Sequence, residues 1–385
     1  MTKVLISLVG DQTVPNVFLV RDAAFRQMDH YVFVTTPLMQ KRQRLEHIIS
    51  ATGIREGQYS KIQVAAENPH QIQQQLQDLE VLNHAAHLYV NLTSGTKVMS
   101  LALYAYFTQA PFAHRSSIFY IPIGGNDFLQ IFPKSTFQQQ PITYRITVAE
   151  YLTSYGIKMI EQGTDCDLLR PATYTANLMA HFSEGGSLNR PFTQMMSRLR
   201  KQYNSKQQQN NFEIPTWKEL DYFLQKIDYK QDKKEFLQKR EVEYLTGGWL
   251  EEWGYQQIKT HLQLPDEAIR FHVKVGRNNT RGVQVPNECD VLFTYNNTLH
   301  LVECKVGISN AQFEDAVYKI AALRLEFGQR VNALLLTLSD LRLKKNGQLK
   351  DRYADRANLH RIALFDRKGI QVDFPAYLDK LVSSA

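Results

Sequence analysis

Cysteine is scarce in this chain of 385 residues. The three cysteines, Cys166, Cys289 and Cys304, are odd in number and show no CxxC spacing. The pattern therefore predicts neither a disulfide framework nor a structural zinc site. So few thiols are typical of a reducing compartment, and we expect a cytoplasmic protein.

Long hydrophobic runs are also missing. No stretch of about 18 apolar residues occurs, so the sequence predicts no membrane span and no membrane partner. The apolar run at 4–9 is short and is followed at once by Gly10 and Asp11. This favours a buried strand over a signal peptide.

Two common nucleotide-binding motifs are absent. No GxxxxGK[ST] occurs, which argues against an ATP-hydrolysing P-loop, and no GxGxxG follows the first apolar run, which argues against a nicotinamide cofactor. The charge excess is mild, with 45 Lys and Arg against 38 Asp and Glu. A net charge of +7 favours polyanionic partners but does not identify one.

Hydrophobic periodicity divides the chain into three parts. Over residues 1–140, short β-rich runs alternate with helical patterns, which predicts an α/β domain with a Rossmann-like parallel sheet. Residues 141–235 lack this alternation and are predicted to be a mainly helical connector with a polar loop at 205–211. An α/β pattern resumes over 236–385. The predicted strands are 4–9, 31–34, 62–66, 88–92, 117–123, 128–132, 269–275, 289–295, 299–306 and 331–338. The predicted helices are 37–50, 70–81, 98–108, 148–157, 191–203, 234–244, one that begins at 249, and 311–327.

A hairpin is predicted in the C-terminal part, around Asn296 and Asn297. Asn tolerates the positive φ that a tight turn needs, and apolar strands flank the pair. With a two-residue turn, directly opposed side chains share a face of the hairpin. The opposed pairs are then Tyr295–Thr298, Asp290–Glu303 and Glu288–Lys305.

This register predicts a metal site. Two carboxylates as close as Asp290 and Glu303 repel each other unless one is protonated or a cation lies between them. Oxygen ligands of this kind suit Mg²⁺ or Mn²⁺, with Glu288 as a further candidate ligand. Such a metal would polarise a phosphoryl oxygen and lower the pKa of a bound water, while Lys305 would orient that water or offset charge in the transition state. An ordinary solvated Glu/Lys pair is the alternative, but the strand at 299–306 is otherwise apolar.

A further acid is expected from the helix that begins at Trp249. Its apolar positions are Leu250, Trp253, Ile258 and Leu262. At 100° per residue, Glu251 lies beside this stripe and Glu252 nearly opposite it. Glu251 is therefore predicted to point inward as a catalytic acid, although the choice between the two stays open.

Together these residues resemble the PD-(D/E)XK nuclease superfamily. Asp290, the Glu303-Cys304-Lys305 triplet after a short hairpin, and a preceding helix with Glu251 match its pattern, with Cys289 in place of the usual proline. The resemblance implies that the acids bind a divalent metal and that Lys305 assists phosphodiester hydrolysis. It does not specify the nucleic acid.

A second site is predicted where two strands of the N-terminal sheet end, because α/β sheets bind ligands beyond the carboxyl ends of their strands. The candidate ligand-binding residues are Gly10, Asp11, Gln12, Thr13, Asn16, Thr93, Ser94, Gly95, Thr96 and Lys97. Small and hydroxyl residues at a helix start expose N–H groups to an anion, and Lys97 adds a positive charge. A plain helix cap would explain the second segment equally well.

The segment 91–97, Asn-Leu-Thr-Ser-Gly-Thr-Lys, is similar to the ligand motif of CARF domains, the Rossmann-like sensors associated with type III CRISPR systems. The whole chain resembles CARF–nuclease fusions of the Card and Can type. This resemblance implies an antiviral endonuclease activated by a cyclic oligoadenylate, with cyclic tetra-adenylate bound at a homodimer interface. RNA, single-stranded DNA and supercoiled duplex DNA remain open as substrates. A non-catalytic CARF-controlled nucleic-acid-binding regulator and a constitutive repair or restriction endonuclease are the alternatives.

Overall fold

The structure is a computed structural model that describes most of the chain. The residues outside the description are 1, 26, 134–138, 169–171, 184–189, 207, 208, 210, 279–283, 344, 384 and 385. Three positions of the predicted polar loop at 205–211 therefore lie outside the described residues. No helix within the described part is long and apolar enough to cross a membrane.

The N-terminal sheet is Rossmann-like, as the alternating pattern predicts. Its strands are β1 (Lys3–Leu8), β2 (His30–Thr35), β3 (Tyr59–Gln63), β4 (His87–Asn91), β5 (Ser116–Tyr120), β6 (Asp127–Phe132) and β7 (Gln139–Pro141). Among the described residues, these seven strands lie in the order β3-β2-β1-β4-β5-β6-β7. The first five run parallel, and β6 and β7 are antiparallel additions at one edge. The chain order reverses between β1 and β4, so the loops after these two strands meet at the switch point.

The helices of this domain cover both faces of the sheet. They are α1 (Val14–Arg21), α2 (Pro37–Lys41), α3 (Arg44–Thr52), α4 (Pro69–Gln77), α5 (Glu80–His84) and α6 (Lys97–Phe107). The single helix predicted over 37–50 is interrupted, because Gln43 takes a left-handed φ of 53° between α2 and α3.

The middle of the chain is more than a helical connector. Its elements are α7 (Val148–Ser154), β8 (Lys158–Gly163), α8 (Ala172–Ser183), α9 (Arg190–Lys206), β9 (Glu213–Pro215), α10 (Lys218–Lys226) and β10 (Phe236–Gln238). The helix predicted over 148–157 ends at Ser154, and after a turn at Gly156 with φ of 73° the chain enters β8. Most residues of β8 are exposed, so the strand lacks the apolar alternation that would have predicted it.

The C-terminal sheet has helices on both faces. The remaining elements are α11 (Lys239–Glu243), α12 (Trp249–His261), β11 (Ile269–Asn278), β12 (Gln284–Tyr295), β13 (Thr298–Lys305), α13 (Asn310–Phe327), β14 (Val331–Thr337), α14 (Asp351–Leu359), β15 (Ile362–Phe365) and α15 (Arg367–Ser383). In the described part of the chain, six strands lie in the order β15-β14-β13-β12-β11-β8. Because β8 pairs with β11, part of the predicted connector is built into this sheet. The domain boundaries at 140 and 235 stay a prediction.

One apolar core joins the two halves of the molecule. Phe18 of α1 and Tyr151 of α7 belong to the same buried cluster as Leu299 of β13 and Val317 of α13. On the opposite face of the C-terminal sheet, α12 packs in a separate buried cluster. The N-terminal domain therefore rests against the C-terminal domain through apolar contacts as well as loops.

Candidate active site and ligand loops

The predicted hairpin is formed by β12 and β13. Tyr295 pairs with Thr298, and the ladder continues in register to Val291 and Val302. The turn residues Asn296 and Asn297 have φ values of 46° and 60°. The predicted turn and register are therefore confirmed over this stretch, since asparagine tolerates the left-handed conformation that the turn demands.

Three of the predicted site residues come together where this ladder ends. The Cys304 N–H donates to Asp290 Oδ2 at 2.6 Å, in place of a main-chain carbonyl. Lys305 Nζ lies 3.6 Å from Asp290 Oδ2 and 2.7 Å from Glu303 Oε1. Both carboxylates are buried, with Asp290 5% and Glu303 1% exposed. A single, partly exposed ammonium group thus lies between two buried carboxylates.

A second lysine, which sequence reasoning missed, completes this cluster. Lys319 Nζ of α13 donates to both oxygens of Glu303, at 2.9 and 2.8 Å. Its sequence signal is weak: Lys319 lies at the edge of the buried stripe that contains Ala316, Ile320 and Leu323. Because a lysine stem often packs at the border of an apolar stripe while its ammonium group reaches solvent, this position alone does not reveal the contact with Glu303.

His272 is also part of the site and was not predicted. Its Nε2 lies 2.7 Å from Glu251 Oε2, so the predicted helix acid reaches the sheet through a histidine. His272 interrupts β11 with a φ of 47°. Burial lowers the pKa of His272, but the hydrogen bond to Glu251 and the charges of Glu252 and Asp290 outweigh burial and raise it overall. A left-handed non-glycine residue beside buried acids is typical of a functional site.

The expectation for Glu252 is corrected by the structure. Glu252 is only 2% exposed, whereas the Glu251 side chain is 18% exposed. The apolar stripe alone predicts the wrong exposure for Glu252, because α12 is enclosed on several sides. A Cβ at Gly254 would lie 3.5 Å from Leu336 and 3.6 Å from Cys304, for example. Both glutamates line a cleft beside the site.

Glu288 lies outside the cluster. The β12–β13 ladder does not extend to the predicted Glu288–Lys305 pair; Glu288 instead lies opposite Lys274 of β11. Its side chain is exposed and lines the same cleft, of about 590 Å³, as Glu251 and His272. The prediction assumed that regular strand pairing continues to Glu288 and Lys305. The hydrogen bond from the Cys304 N–H to the Asp290 side chain stands there instead.

Electrostatics separates the roles of Asp290 and Lys305. Burial raises the pKa of Asp290 well above its ordinary value, and the charges of Glu251 and Glu303 raise it further. Burial alone would lower the pKa of Lys305, but Asp290 and Glu303 outweigh it and raise that pKa. Lys305 therefore stays protonated, and it acts as a cation and a hydrogen-bond donor.

The donor set fits a hard divalent cation. Among the described residues, no group of three or more His, Cys, Asp and Glu is positioned to hold a metal ion. Mg²⁺, however, commonly takes only one or two carboxylates and completes its shell with waters and substrate phosphate. Asp290 and Glu303 supply two buried carboxylates, and a cation beside Asp290 would offset the charge that burial disfavours.

The two predicted ligand loops of the N-terminal domain meet at the switch point. A Cβ at Gly10 would lie 2.6 Å from the Gly95 nitrogen, so only glycine permits this approach. Ser94 Oγ donates to the Gln12 carbonyl at 2.9 Å. Gly95 has a φ of 86°, and Lys97 is exposed at the start of α6. The arrangement presents backbone groups and the Lys97 ammonium at the edge of the sheet.

Thr96 and Asp11 are held by local partners beside these loops. Thr96 caps α6 by accepting from the Met99 N–H at 3.2 Å. The Asp11 carboxylate pairs with Arg42 at 2.6 Å and with Arg44 at 3.3 Å. Asp11 therefore reaches any ligand as part of an ion-pair cluster, and not as an isolated acid.

Three predicted ligand residues point elsewhere. Asn16 is buried and accepts from the Ser7 hydroxyl, and buried Thr13 donates to Ser154 Oγ at 3.2 Å. Gln12 Oε1 accepts from the Tyr155 hydroxyl at 2.8 Å and from a main-chain N–H of the C-terminal domain. A polar residue after a strand has the same sequence pattern whether it binds a ligand or satisfies buried groups, so only packing distinguishes the two cases.

Two family models match most of the chain. One, the Card1 CARF domain, matches residues 4–151, and the other, the Card1-like endonuclease domain, matches residues 238–367. This chain is a Card1-like protein, with a CARF domain joined to an endonuclease domain. The switch-point loops belong to the CARF domain, and the cluster around Glu303 belongs to the endonuclease domain. No curated protein sequence matches the chain significantly.

Solved structures share this fold. Protein VC1899 from Vibrio cholerae is 17% identical with a TM-score of 0.77, and the match covers 98% of each chain. Can2 from Sulfobacillus thermosulfidooxidans, in complex with cyclic tetra-adenylate, is 20% identical with a TM-score of 0.69 over 99% of this chain and 98% of its own. A type III CRISPR defence DNA nuclease activated by cyclic oligoadenylate is 17% identical with a TM-score of 0.53, over 88% of this chain and 45% of that one.

Proposed function

We propose that this protein is a cyclic-oligoadenylate-activated, divalent-metal-dependent endonuclease of type III CRISPR antiviral defence. The observation that carries the proposal is the convergence of Asp290, Glu303 and Lys305 in the endonuclease domain of a chain that also carries a CARF domain. A buried acidic pair with a protonated lysine suits phosphodiester hydrolysis, and the pattern is that of a PD-(D/E)XK nuclease. Its cytoplasmic location remains part of the proposal.

In the proposed mechanism, Asp290 and Glu303 would hold Mg²⁺ or Mn²⁺, with exposed Glu288 as an outer candidate. When bound, such a metal polarises a phosphoryl oxygen and makes water a better nucleophile. Lys305 donates toward the phosphoryl oxygens and offsets the negative charge that develops in the transition state. Lys319 holds Glu303 in position through both of its oxygens. Glu251 acts through His272, which it orients at the edge of the cleft.

For sensing, we propose that cyclic tetra-adenylate binds above Gly10 and the segment 93–97. The glycines let the ligand approach the backbone, and Lys97 supplies a positive charge. Two copies of this edge around one cyclic ligand would form a homodimer with a twofold axis. Activation then requires tighter ligand binding to the active arrangement than to the resting one.

Gln12 offers a direct route from the sensing loops to the active site. Its Oε1 accepts from the Tyr155 hydroxyl at 2.8 Å and from the Gln329 N–H at 3.0 Å. The next residue, Arg330, donates back to the Pro122 and Gly125 carbonyls of the CARF domain, at 3.0 and 2.6 Å. Strand β14 begins directly after this joint and pairs with β13, which carries Glu303 and Lys305. A shift of the loop that carries Gln12 would thus move β14, which lies beside the active-site strand β13.

The function is tested by cleavage of RNA, single-stranded DNA and supercoiled DNA, with and without cyclic tetra-adenylate, in Mg²⁺ or Mn²⁺. We expect ligand-dependent cutting by the native protein and none by Glu303→Gln. Glu314→Gln, on the exposed side of the same helix as Lys319, is the matched control and should cut normally. Equal cutting without the nucleotide would instead identify a constitutive endonuclease. Binding of nucleic acid without any cutting would identify a non-catalytic regulator.

The proposed route is tested separately with Gln12→Leu and Tyr155→Phe. Gln12→Leu removes the acceptor of both hydrogen bonds, whereas Tyr155→Phe removes only one. Both variants should bind cyclic tetra-adenylate with nearly native affinity by calorimetry, but they should need more ligand for half-maximal cleavage, Gln12→Leu more than Tyr155→Phe. If ligand affinity and cleavage fall together, the proposed route is contradicted, and Gln12 is instead a ligand-binding residue.

A further inference from the structure

A basic cleft of about 580 Å³ lies between three elements. Helix α3 of the CARF domain contributes His47 and Ser50, the turn from α7 to β8 contributes Thr153 and Lys158, and β11 contributes Arg277. Among the described residues, no carboxylate lines this cleft, and no Asp or Glu forms an ion pair with His47, Lys158 or Arg277. Cations gathered without an ion pair to any carboxylate of the described residues are unusual at a purely structural joint.

The donors in this cleft are only partly satisfied. Arg277 Nη2 donates to the Glu326 carbonyl at 2.9 Å, but the buried Arg277 Nε has no partner in the described structure. His47 Nδ1 is likewise buried without a partner. Burial lowers the pKa of His47, and the positive charges of Arg44 and Arg277 lower it further, against a weaker effect of Glu46. Burial also lowers the pKa of Arg277, where the charge of Glu326 opposes burial and a smaller effect of Arg44 adds to it. An anion in the cleft would relieve both the unmet donors and the mutual repulsion.

The shape of the cleft depends on a close approach between Gly156 and His47. Gly156 has a φ of 73°, and a Cβ there would lie 2.3 Å from the His47 ring. Glycine therefore lets the imidazole pack directly against the α7–β8 turn. Two hydroxyls, on Ser50 and Thr153, add neutral donors to the charged ones. The volume lies within the range of about 300–1,000 Å³ that small-ligand sites occupy.

We propose that this cleft binds a small phosphate-bearing molecule through Arg277, Lys158 and His47. Guanidinium and ammonium groups with hydroxyls are the donors that recognise phosphate. Inorganic pyrophosphate and a free nucleotide share this chemistry. The site is independent of the proposed nuclease chemistry, but it adjoins the sensing loop, because Arg44 at the start of α3 pairs with Asp11. A bound phosphate would tie the CARF domain to β8 and β11.

The test is equilibrium binding of inorganic pyrophosphate, AMP and ATP to the full-length protein, with chelator present and about 150 mM salt. We expect saturable binding of at least one probe at one site per chain. Lys158→Gln, at an exposed position, and Arg277→Gln should each weaken it at least about tenfold, which matches the loss of one charge-assisted hydrogen bond. Lys226→Gln, on distant α10, is the matched control and should bind as the native protein does.

Thermal melts of each variant control for folding, and Lys158→Gln keeps the test decisive if Arg277→Gln unfolds. Preference for ATP over pyrophosphate would identify a nucleotide site, and the reverse an inorganic phosphate site. The proposal is overturned if no probe saturates, if Lys158→Gln binds as tightly as the native protein, or if only an oligonucleotide binds.

Discussion

Two buried aspartates of this protein should respond in opposite ways to the same substitution. Asp290 accepts one backbone hydrogen bond, from Cys304, and lies in the field of Glu251 and Glu303. Asp22, also buried, accepts from the N–H groups of Ala24, Thr143 and Tyr144 and from the Thr143 hydroxyl, at 2.7–3.0 Å. We therefore expect Asp290→Asn to stabilise the metal-free protein at neutral pH and Asp22→Asn to destabilise it.

The magnitude for Asp290 follows from its raised pKa. Between its ordinary value of 3.8 and the higher folded value, the folded state holds a proton that the unfolded state has released. The free energy of unfolding therefore falls as pH rises through this window, by about 1.4 kcal/mol for each unit of elevation. Asparagine avoids this cost, keeps an acceptor for Cys304, and should gain about 1–2 kcal/mol. Asp22→Asn should lower the free energy of unfolding by about 1–3 kcal/mol, because the new NH₂ group cannot accept the hydrogen bonds that a carboxylate oxygen of Asp22 accepts.

The assay is calorimetric unfolding in chelator, at pH 7.5 and near pH 4. At pH 7.5 we expect the endonuclease transition of Asp290→Asn to rise by about 2–4 °C for each kcal/mol gained. The advantage over the native protein should shrink near pH 4, where the unfolded aspartate also becomes protonated. Destabilisation of Asp290→Asn at pH 7.5, to the extent seen for Asp22→Asn, would refute the electrostatic reasoning.

Three further outcomes are expected. Chelator should stop cleavage and Mg²⁺ or Mn²⁺ restore it, whereas Ca²⁺ should support binding with little cutting, since it tolerates loose geometry; full activity in chelator would exclude the metal mechanism. Lys319→Met should lower the cleavage rate about 10–100-fold, with partial recovery in Lys319→Arg, because it orients Glu303; unchanged kinetics would remove it from the site. Asn297→Gly keeps the turn but loses three hydrogen bonds to 126, 144 and 146, so denaturant unfolding should show a loss of about 1–3 kcal/mol that the control Asn296→Gly does not share.

The sequence alone predicts the local part of this protein well. The β12–β13 hairpin follows from two asparagines between apolar strands, and its two-residue period brings Asp290, Glu303 and Lys305 together. The parallel N-terminal sheet likewise follows from apolar runs at regular spacing, and chain order brings Gly10 and Gly95 to its switch point. These features depend on residues close in sequence or on the periodicity of strands and helices.

Tertiary structure decides which partner each remaining polar residue meets. Lys319 reaches Glu303 only because α13 crosses under β13, and Glu252 is buried because α12 is enclosed on several sides. Gln12 faces Tyr155 and Gln329, more than a hundred residues away in the chain, because the two domains share one core. A polar side chain near a strand end has no periodicity that reveals its partner. Its role is therefore set by whichever distant surface packs against it, and by the cost of leaving a buried donor or acceptor unpaired.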